Sequence, residues 1–222
     1  MTFTPVKTPL IAKKLFPNYI WDVSTNKKII YLTFDDGPTP EITDWTLEVL
    51  NQYNAKATFF CIGNNVKNHP EIFQNIIRQG HAVGNHTHNH LKGWQNLVEV
   101  YLDNIKKAEE TIHHEISNSS IPNYEVPVVN LFRPPYGQIT LSQGKKLMEL
   151  GYHIVMWDVL SYDWNKDLKL ENSFKNLISK ITKGSIVVFH DSIKASKNLQ
   201  YLLPKVLEHF SEKGYVFKPL TI

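Results

Sequence analysis

Two adjacent carboxylates, Asp35 and Asp36, close the apolar run of "YLTFDDGP", and three histidines, His86, His88 and His90, crowd into "GNHTHNH". Side-by-side carboxylates repel, and an unpaired buried carboxylate is costly, so either they sit in solvent as an ordinary turn or something cationic stands beside them. Histidines four apart share a face of a helical turn, so His86 and His90 converge while His88 points elsewhere. Two imidazoles and one carboxylate make a three-ligand set for zinc that leaves a position for water. Neighbouring residues of a strand face opposite ways, so one aspartate can bind the metal while the other stays free as a base. A solvated histidine-rich loop is the competing reading of the histidine pair alone. The aspartate pair at the end of another strand tips the balance to metal-assisted hydrolysis.

Three further stretches add acid–base groups. "FRPPYG" sets Arg133 ahead of a rigid double proline, either as a surface arginine on a turn or as the group that holds the free aspartate ionised and oriented. The same stiff turn can aim a backbone N–H at a developing oxyanion. "WDVLSYDW" supplies Asp158, Asp163 and two tryptophans whose faces suit a sugar ring, although a tryptophan at a strand end is more often simply packed. "VVFHDS" leaves His190, followed by Asp191, at the mouth of a very apolar strand. There a histidine serves either as a general acid or as a structural group.

Something must carry these residues to one place. Four times the chain runs through an amphipathic stretch, a glycine and an apolar burst, at Gly80, Gly151, Gly184 and Gly214. Each glycine suits the left-handed position that ends a helix. The bursts, with "IIYLTF" (29–34), "AKATFFCIG" (55–63) and a weaker "VVNLF" (128–132), read as seven strands. Helical patterns fall at 41–53, 65–79, 94–115, 140–150, 171–182 and 199–212. Alternating strand and helix means parallel strands with helices outside. Seven strands suggest a closed or nearly closed barrel, with an open doubly wound sheet as the alternative. Asp35 and Asp36, His86, Arg133, Asp158 and Asp163, and His190 and Asp191 each follow a burst. They gather on the rim where barrel enzymes keep their active sites.

Composition sets bounds. The chain has 222 residues, enough for one core, and 42% apolar with 20% charged residues is ordinary for a globular domain. A net charge of +3 without a basic stripe gives no case for nucleic acid. Cys61 is the only cysteine and reads as a buried structural thiol. No apolar stretch approaches a membrane span. The opening "MTFTPVKTPLIAKKLFPNYIW" lacks a long apolar core and a small-residue cleavage site. The expectation is a chain without a signal peptide, cytoplasmic unless it is trimmed or exported by another route.

Five motifs in order, "TFDDGP", "HTHNH", "RPPYG", "DVLSYDW" and "IVVFHD", give the chain a resemblance to the polysaccharide deacetylases of carbohydrate esterase family 4, the NodB-homology domain. The resemblance spans about residues 28–219. It implies a distorted (β/α)7 barrel over 28–222, with 1–27 as an N-terminal extension packed on it. It implies one divalent metal, zinc by preference with Co2+, Ni2+ or Mn2+ as substitutes, and removal of acetyl groups from N-acetylated sugars by a monomer. Motif by motif, Asp35 becomes the base and Asp36, His86 and His90 the metal ligands. Thr87 braces the histidine loop, and Arg133 tunes Asp35. The backbone N–H of Tyr136 joins the oxyanion site. Asp163 orients His190, the general acid, while Trp164 and Val188 line an acetyl pocket. Leucine is usual at the Val188 position, so a slightly roomier pocket is expected. The segment 113–127 matches no motif and reads as a variable loop. An amidohydrolase on a non-sugar amide, or a catalytically silent glycan-binding barrel, are the other functions such a frame allows.

Overall fold

The computed structural model describes residues 5–119 and 130–221. The strands are β1 (Ile29–Asp35), β2 (Thr58–Cys61), β3 (Ala82–Asn85), β4 (Leu131–Phe132), β5 (His153–Ile154), β6 (Val159–Leu160), β7 (Ile186–His190) and β8 (Val216–Phe217). All are parallel, in the order β5-β4-β3-β2-β1-β7-β6, with β8 pairing the start of β1. The two edges of that order, β5 and β6, come from one continuous run. Its first part pairs with β4 and its second with β7, so the sheet curls until the chain itself joins its ends. This is the seven-strand curled barrel expected, with the fifth burst bent across two partners, and the open doubly wound alternative falls.

Alternation along β1 sorts two surfaces. Ile30, Leu32 and Phe34 face outward into the main core, against Leu47 and Leu50 of α2 (Ile42–Gln52) and Leu202 and Leu203 of α8 (Ser196–Glu212). Tyr31 turns inward to a second cluster of Phe60, Leu131, Val155, Ile186 and Leu220. Thr33 and Asp35 follow on that inner side, so a largely apolar strand delivers a carboxylate into the barrel mouth.

The remaining helices are α1 (Leu10–Leu15), α3 (Gly63–Asn68), α4 (Pro70–Arg78), α5 (Val98–Asn118), α6 (Leu141–Glu149) and α7 (Leu170–Lys180). The helix expected over 65–79 is two helices broken at His69, because Pro70 starts α4 and disfavours helical backbone before it. The stretch 113–118, read as loop from 113 although the helical pattern runs to 115, is the last part of α5. Ile112 and Ile116 continue its apolar face at helical spacing. Residues 120–127 of that loop, and 128–129 of the weak strand, lie outside the described residues. All four singled-out glycines have positive φ, but Gly184 lies in a turn beyond α7 rather than at its end. A Cβ there would stand 1.9 Å from the Val23 carbonyl oxygen, so the left-handed turn also admits a close crossing of the N-terminal segment. That segment bridges Val159 from Lys7, Val155 from Ile20 and Ser185 from Asp22. No helix among the described residues is long and apolar enough to cross a membrane.

Candidate active site

A cavity of about 320 Å³ opens at the C-terminal ends of the strands, with Asp35, Asp36, His86, His90, Tyr136, Trp164, Val188 and His190 in its wall. The ligand atoms of Asp36, His86 and His90 lie within 4.8 Å of one another. Asp36 Oδ1 is 3.2 Å from His90 Nε2 and 3.7 Å from His86 Nε2. His86 is buried, and its Nδ1 lies 2.7 Å from the Arg133 carbonyl oxygen, which makes Nδ1–H the donor and leaves Nε2 its lone pair. Burial drives the His86 imidazolium down to about 4 despite Asp35 and Asp36, so the ring is neutral. Burial pushes the Asp36 carboxyl up, but its bond to His90 and the nearby His190 and His86 outweigh that and hold it well below the usual range.

The histidine pair converges for a different reason from the one expected. Residues 86–90 form no helical turn. Thr87 and His90 instead take φ of 63° and 55°, and these left-handed steps fold the loop back. Thr87 holds the fold: its N–H donates to Asn85 Oδ1 at 2.8 Å, and its hydroxyl oxygen accepts from Leu91 N–H at 3.1 Å. His88 points away, packed beside Gly63, where a Cβ would lie 2.6 Å from His88 Nδ1. Asp36 at 81° and Tyr136 at 60° share the left-handed backbone, so four site residues sit in sparsely populated conformations.

Two buried pairs flank the cluster. Arg133 is fully buried and donates from Nη1 to Asp35 Oδ1 and to Thr33 Oγ1, both at 2.7 Å. Its Nη2 reaches the Met156 carbonyl at 2.9 Å and its Nε the Val155 carbonyl at 3.2 Å, above the Phe60 ring at 4.1 Å. Opposite, Asp163 takes both His190 groups: the backbone N–H at Oδ2 and the ring Nδ1 at Oδ1, each 2.8 Å. Burial depresses the His190 imidazolium, but Asp163, with Asp36 and Asp35, lifts it to about 9. Trp164 meets the His190 ring edge-on at 4.7 Å.

Two aspartates expected on the rim serve elsewhere. Asp158 sits at the opposite end of β7 from His190, bound by Lys7 Nζ at 2.9 Å, Lys13 Nζ at 2.6 Å and Ser185 Oγ at 2.6 Å. It precedes β6 rather than following a strand, because the burst "YHIVMW" runs on into β6 after a bend. Asp191 turns away from His190 and accepts from Gly37 N–H at 3.1 Å and Thr43 Oγ1 at 2.6 Å. Burial raises its carboxyl to about 8. Sequence reasoning missed this anchor, and also Leu160, Ser192 and Lys194 in the cavity wall. Thr33 was findable, since it lies two residues before Asp35 on one strand face.

A family model described as polysaccharide deacetylase matches residues 22–155. A peptidoglycan-N-acetylglucosamine deacetylase of Bacillus cereus is 33% identical over 220 residues, covering 94% of each chain. A chitooligosaccharide deacetylase of Azorhizobium caulinodans is 31% identical over 169 residues, 76% of each. A crystal structure of the Bc1960 peptidoglycan N-acetylglucosamine deacetylase superposes with a TM-score of 0.78 at 30% identity, covering 96% of this chain and 95% of that one. Family match, relatives and solved fold converge on one conclusion: the chain belongs to the polysaccharide deacetylase family.

Proposed function

We propose that this chain hydrolyses the N-acetyl groups of amino sugars in a glycan, releasing acetate and leaving a free amine. One arrangement carries the reading: a carboxylate held by an arginine and a histidine held by a carboxylate flank a three-ligand cluster in a single cavity. The substrates in the relatives' names, peptidoglycan N-acetylglucosamine and chitooligosaccharide, are N-acetylated sugars and support it.

The cluster fits a divalent ion, because its donor atoms converge and His86 has only Nε2 to offer. Asp36, His86 and His90 would hold it, with zinc best matched to two imidazoles and a carboxylate and cobalt, nickel or manganese as substitutes. When bound, such an ion polarises an amide carbonyl and acidifies water. Arg133 engages Oδ1 of Asp35, so Oδ2 takes the proton of the attacking water. The backbone N–H of Tyr136 is assigned to the developing oxyanion, its left-handed turn being the kind that re-aims a backbone donor. His190, its Nδ1 tied to Asp163, delivers the proton on Nε2 to the departing nitrogen. Trp164, Val188 and Leu160 offer the acetyl methyl an apolar wall.

Acetate release from a panel of N-acetylated glycans, with and without added zinc, tests the reading. Asp35→Asn is expected to keep the metal and lose about 10²–10⁴-fold in kcat. Near-normal release would remove Asp35 from the mechanism, and a metal-free variant would exchange the roles of the two aspartates. Release from small non-sugar acetamides but from no glycan would replace a sugar substrate with a non-sugar amide.

A further inference from the structure

Trp94 is 65% exposed, yet its ring is not free to turn. Its only polar atom, Nε1–H, donates to the Ile139 carbonyl at 3.0 Å. The backbone beneath is laced as firmly. Gly93 N–H donates to Gln138 O at 3.1 Å, and Gln143 Nε2 donates to the carbonyls of Gly93 at 2.9 Å and Asn96 at 3.2 Å. A Cβ on Gly93 would come within 2.3 Å of Gln138 O, so the two segments touch at the main chain. Gln143 is itself fixed by the capping box that starts α6. Residues 92–96 and 138–143 therefore form one rigid shelf, and the shelf presents an indole to solvent.

The shelf adjoins the cavity. Tyr136, three residues before Ile139, is in the cavity wall and 57% exposed, with its ring 4.6 Å from His90. Lys92, at the start of the shelf, lies 4.9 Å over the Tyr136 ring. An aromatic ring anchored by its polar atom and open on its face suits a ligand with an apolar face and a polar edge. A pyranose has that shape, with C–H groups on its faces and hydroxyls around its rim.

We propose that Trp94 is a stacking platform for a second pyranose of the glycan chain whose acetylated unit occupies the cavity. The ligand class rests on the deacetylase reading; the platform's position rests on the shelf. A lipid surface is the weaker occupant, because Glu99 in the first turn of α5 is paired with Lys146 and Lys92 is engaged over Tyr136, so the shelf carries no cluster of free basic side chains to hold anionic headgroups.

Titration calorimetry with the β-1,4-linked tetramer of N-acetylglucosamine, using the metal-loaded protein, tests it. Trp94→Ala is expected to weaken tetramer binding about three- to tenfold, the size of a lost aromatic contact, while Trp94→Tyr keeps most of it. In acetate release, KM for the tetramer rises by the same factor at unchanged kcat, and kcat/KM for N-acetylglucosamine itself stays put. A binding difference without any acetate release in the wild type faults the proposed reaction and upholds the platform. Equal tetramer binding by wild type and Trp94→Ala overturns the platform. So does an equal loss on tetramer and monosaccharide. A shift in sedimentation on Trp94→Ala, or loss of binding to anionic vesicles, would assign the indole to a second copy or to a lipid surface and overturn it as well.

Discussion

Arg133 reaches four acceptors at once, two on β1 and two carbonyls of the run between β5 and β6. Only a planar fork does this; a lysine is a point donor on a flexible stem. The arginine therefore fixes Asp35 from the barrel interior, where no water competes. His190 depends on a different kind of help. Buried without a carboxylate it would shed its proton easily, and Asp163 reverses that, lifting it to about 9. A group that must donate a proton works below its pKa and fails above it. Asp163→Asn removes the raising charge, so the alkaline limb of the pH–rate profile should move to lower pH by about one unit or more. Asp191→Asn should leave that limb in place, since Asp191 is committed to Gly37 and Thr43. A limb that moves in Asp191→Asn and not in Asp163→Asn would reverse the pairing.

The element scale is where strands end and turns take over. Asp36, Thr87, His90 and Tyr136 all leave their strands in left-handed backbone, so site geometry is stored in short turns rather than in helices. The β1–α2 turn shows how such a conformation is held. Asp191, just past β7, grips Gly37 and Thr43, and its own N–H donates to the Asp35 carbonyl at 3.2 Å. A Cβ on Gly37 would meet Asp191 Oδ2 at 2.0 Å. Gly37→Ala should push the turn, and Asp36 with it, out of line with His86 and His90. Zinc affinity, read by competition with a chromogenic chelator, is expected to fall about 10–100-fold, as for loss of other supports of metal ligands. An unchanged affinity would mean that Asp191 yields instead of the turn.

At the scale of the whole molecule, the seam between β5 and β6 is what the N-terminal segment covers. Lys7 and Lys13 come from that segment, and both end on Asp158. Burial pushes the Asp158 carboxyl up, but Lys13, Ser185 and Lys7 outweigh it and hold it below its ordinary value. A carboxyl lowered in the folded state adds stability above its unfolded pKa of about 3.9, and loses it as pH falls through the folded value. Asp158→Asn is thus expected to cost about 2–3 kcal/mol near neutral pH, less than for a fully buried pair because Lys7 keeps contact with water. Urea unfolding should show that gap close below about pH 4. A gap of constant size at both pH values would mean that packing, not charge, sets the cost.

By itself the sequence determined the alternation of strand and helix, the parallel sheet, and most of the side chains that crowd one rim, though not the places of Asp158 and Asp191. These are local matters: side-chain period, glycine ends and motif order leave few arrangements open. It also marked the His86–His90 pair with one carboxylate of Asp35 and Asp36, and the motif resemblance implied that Asp36 is the ligand. Only the tertiary structure decided what each charged group faces. Asp158 and Asp163 lie five residues apart in one motif, yet one seals the far end of the barrel and the other holds His190. Strand β6 runs between them and sets them at opposite ends through its pairing with β7, a partner distant in sequence. The left-handed turns at Thr87 and His90 were hidden for the same reason. No glycine announces them, and they are held by hydrogen bonds and packing that exist only once the barrel has closed.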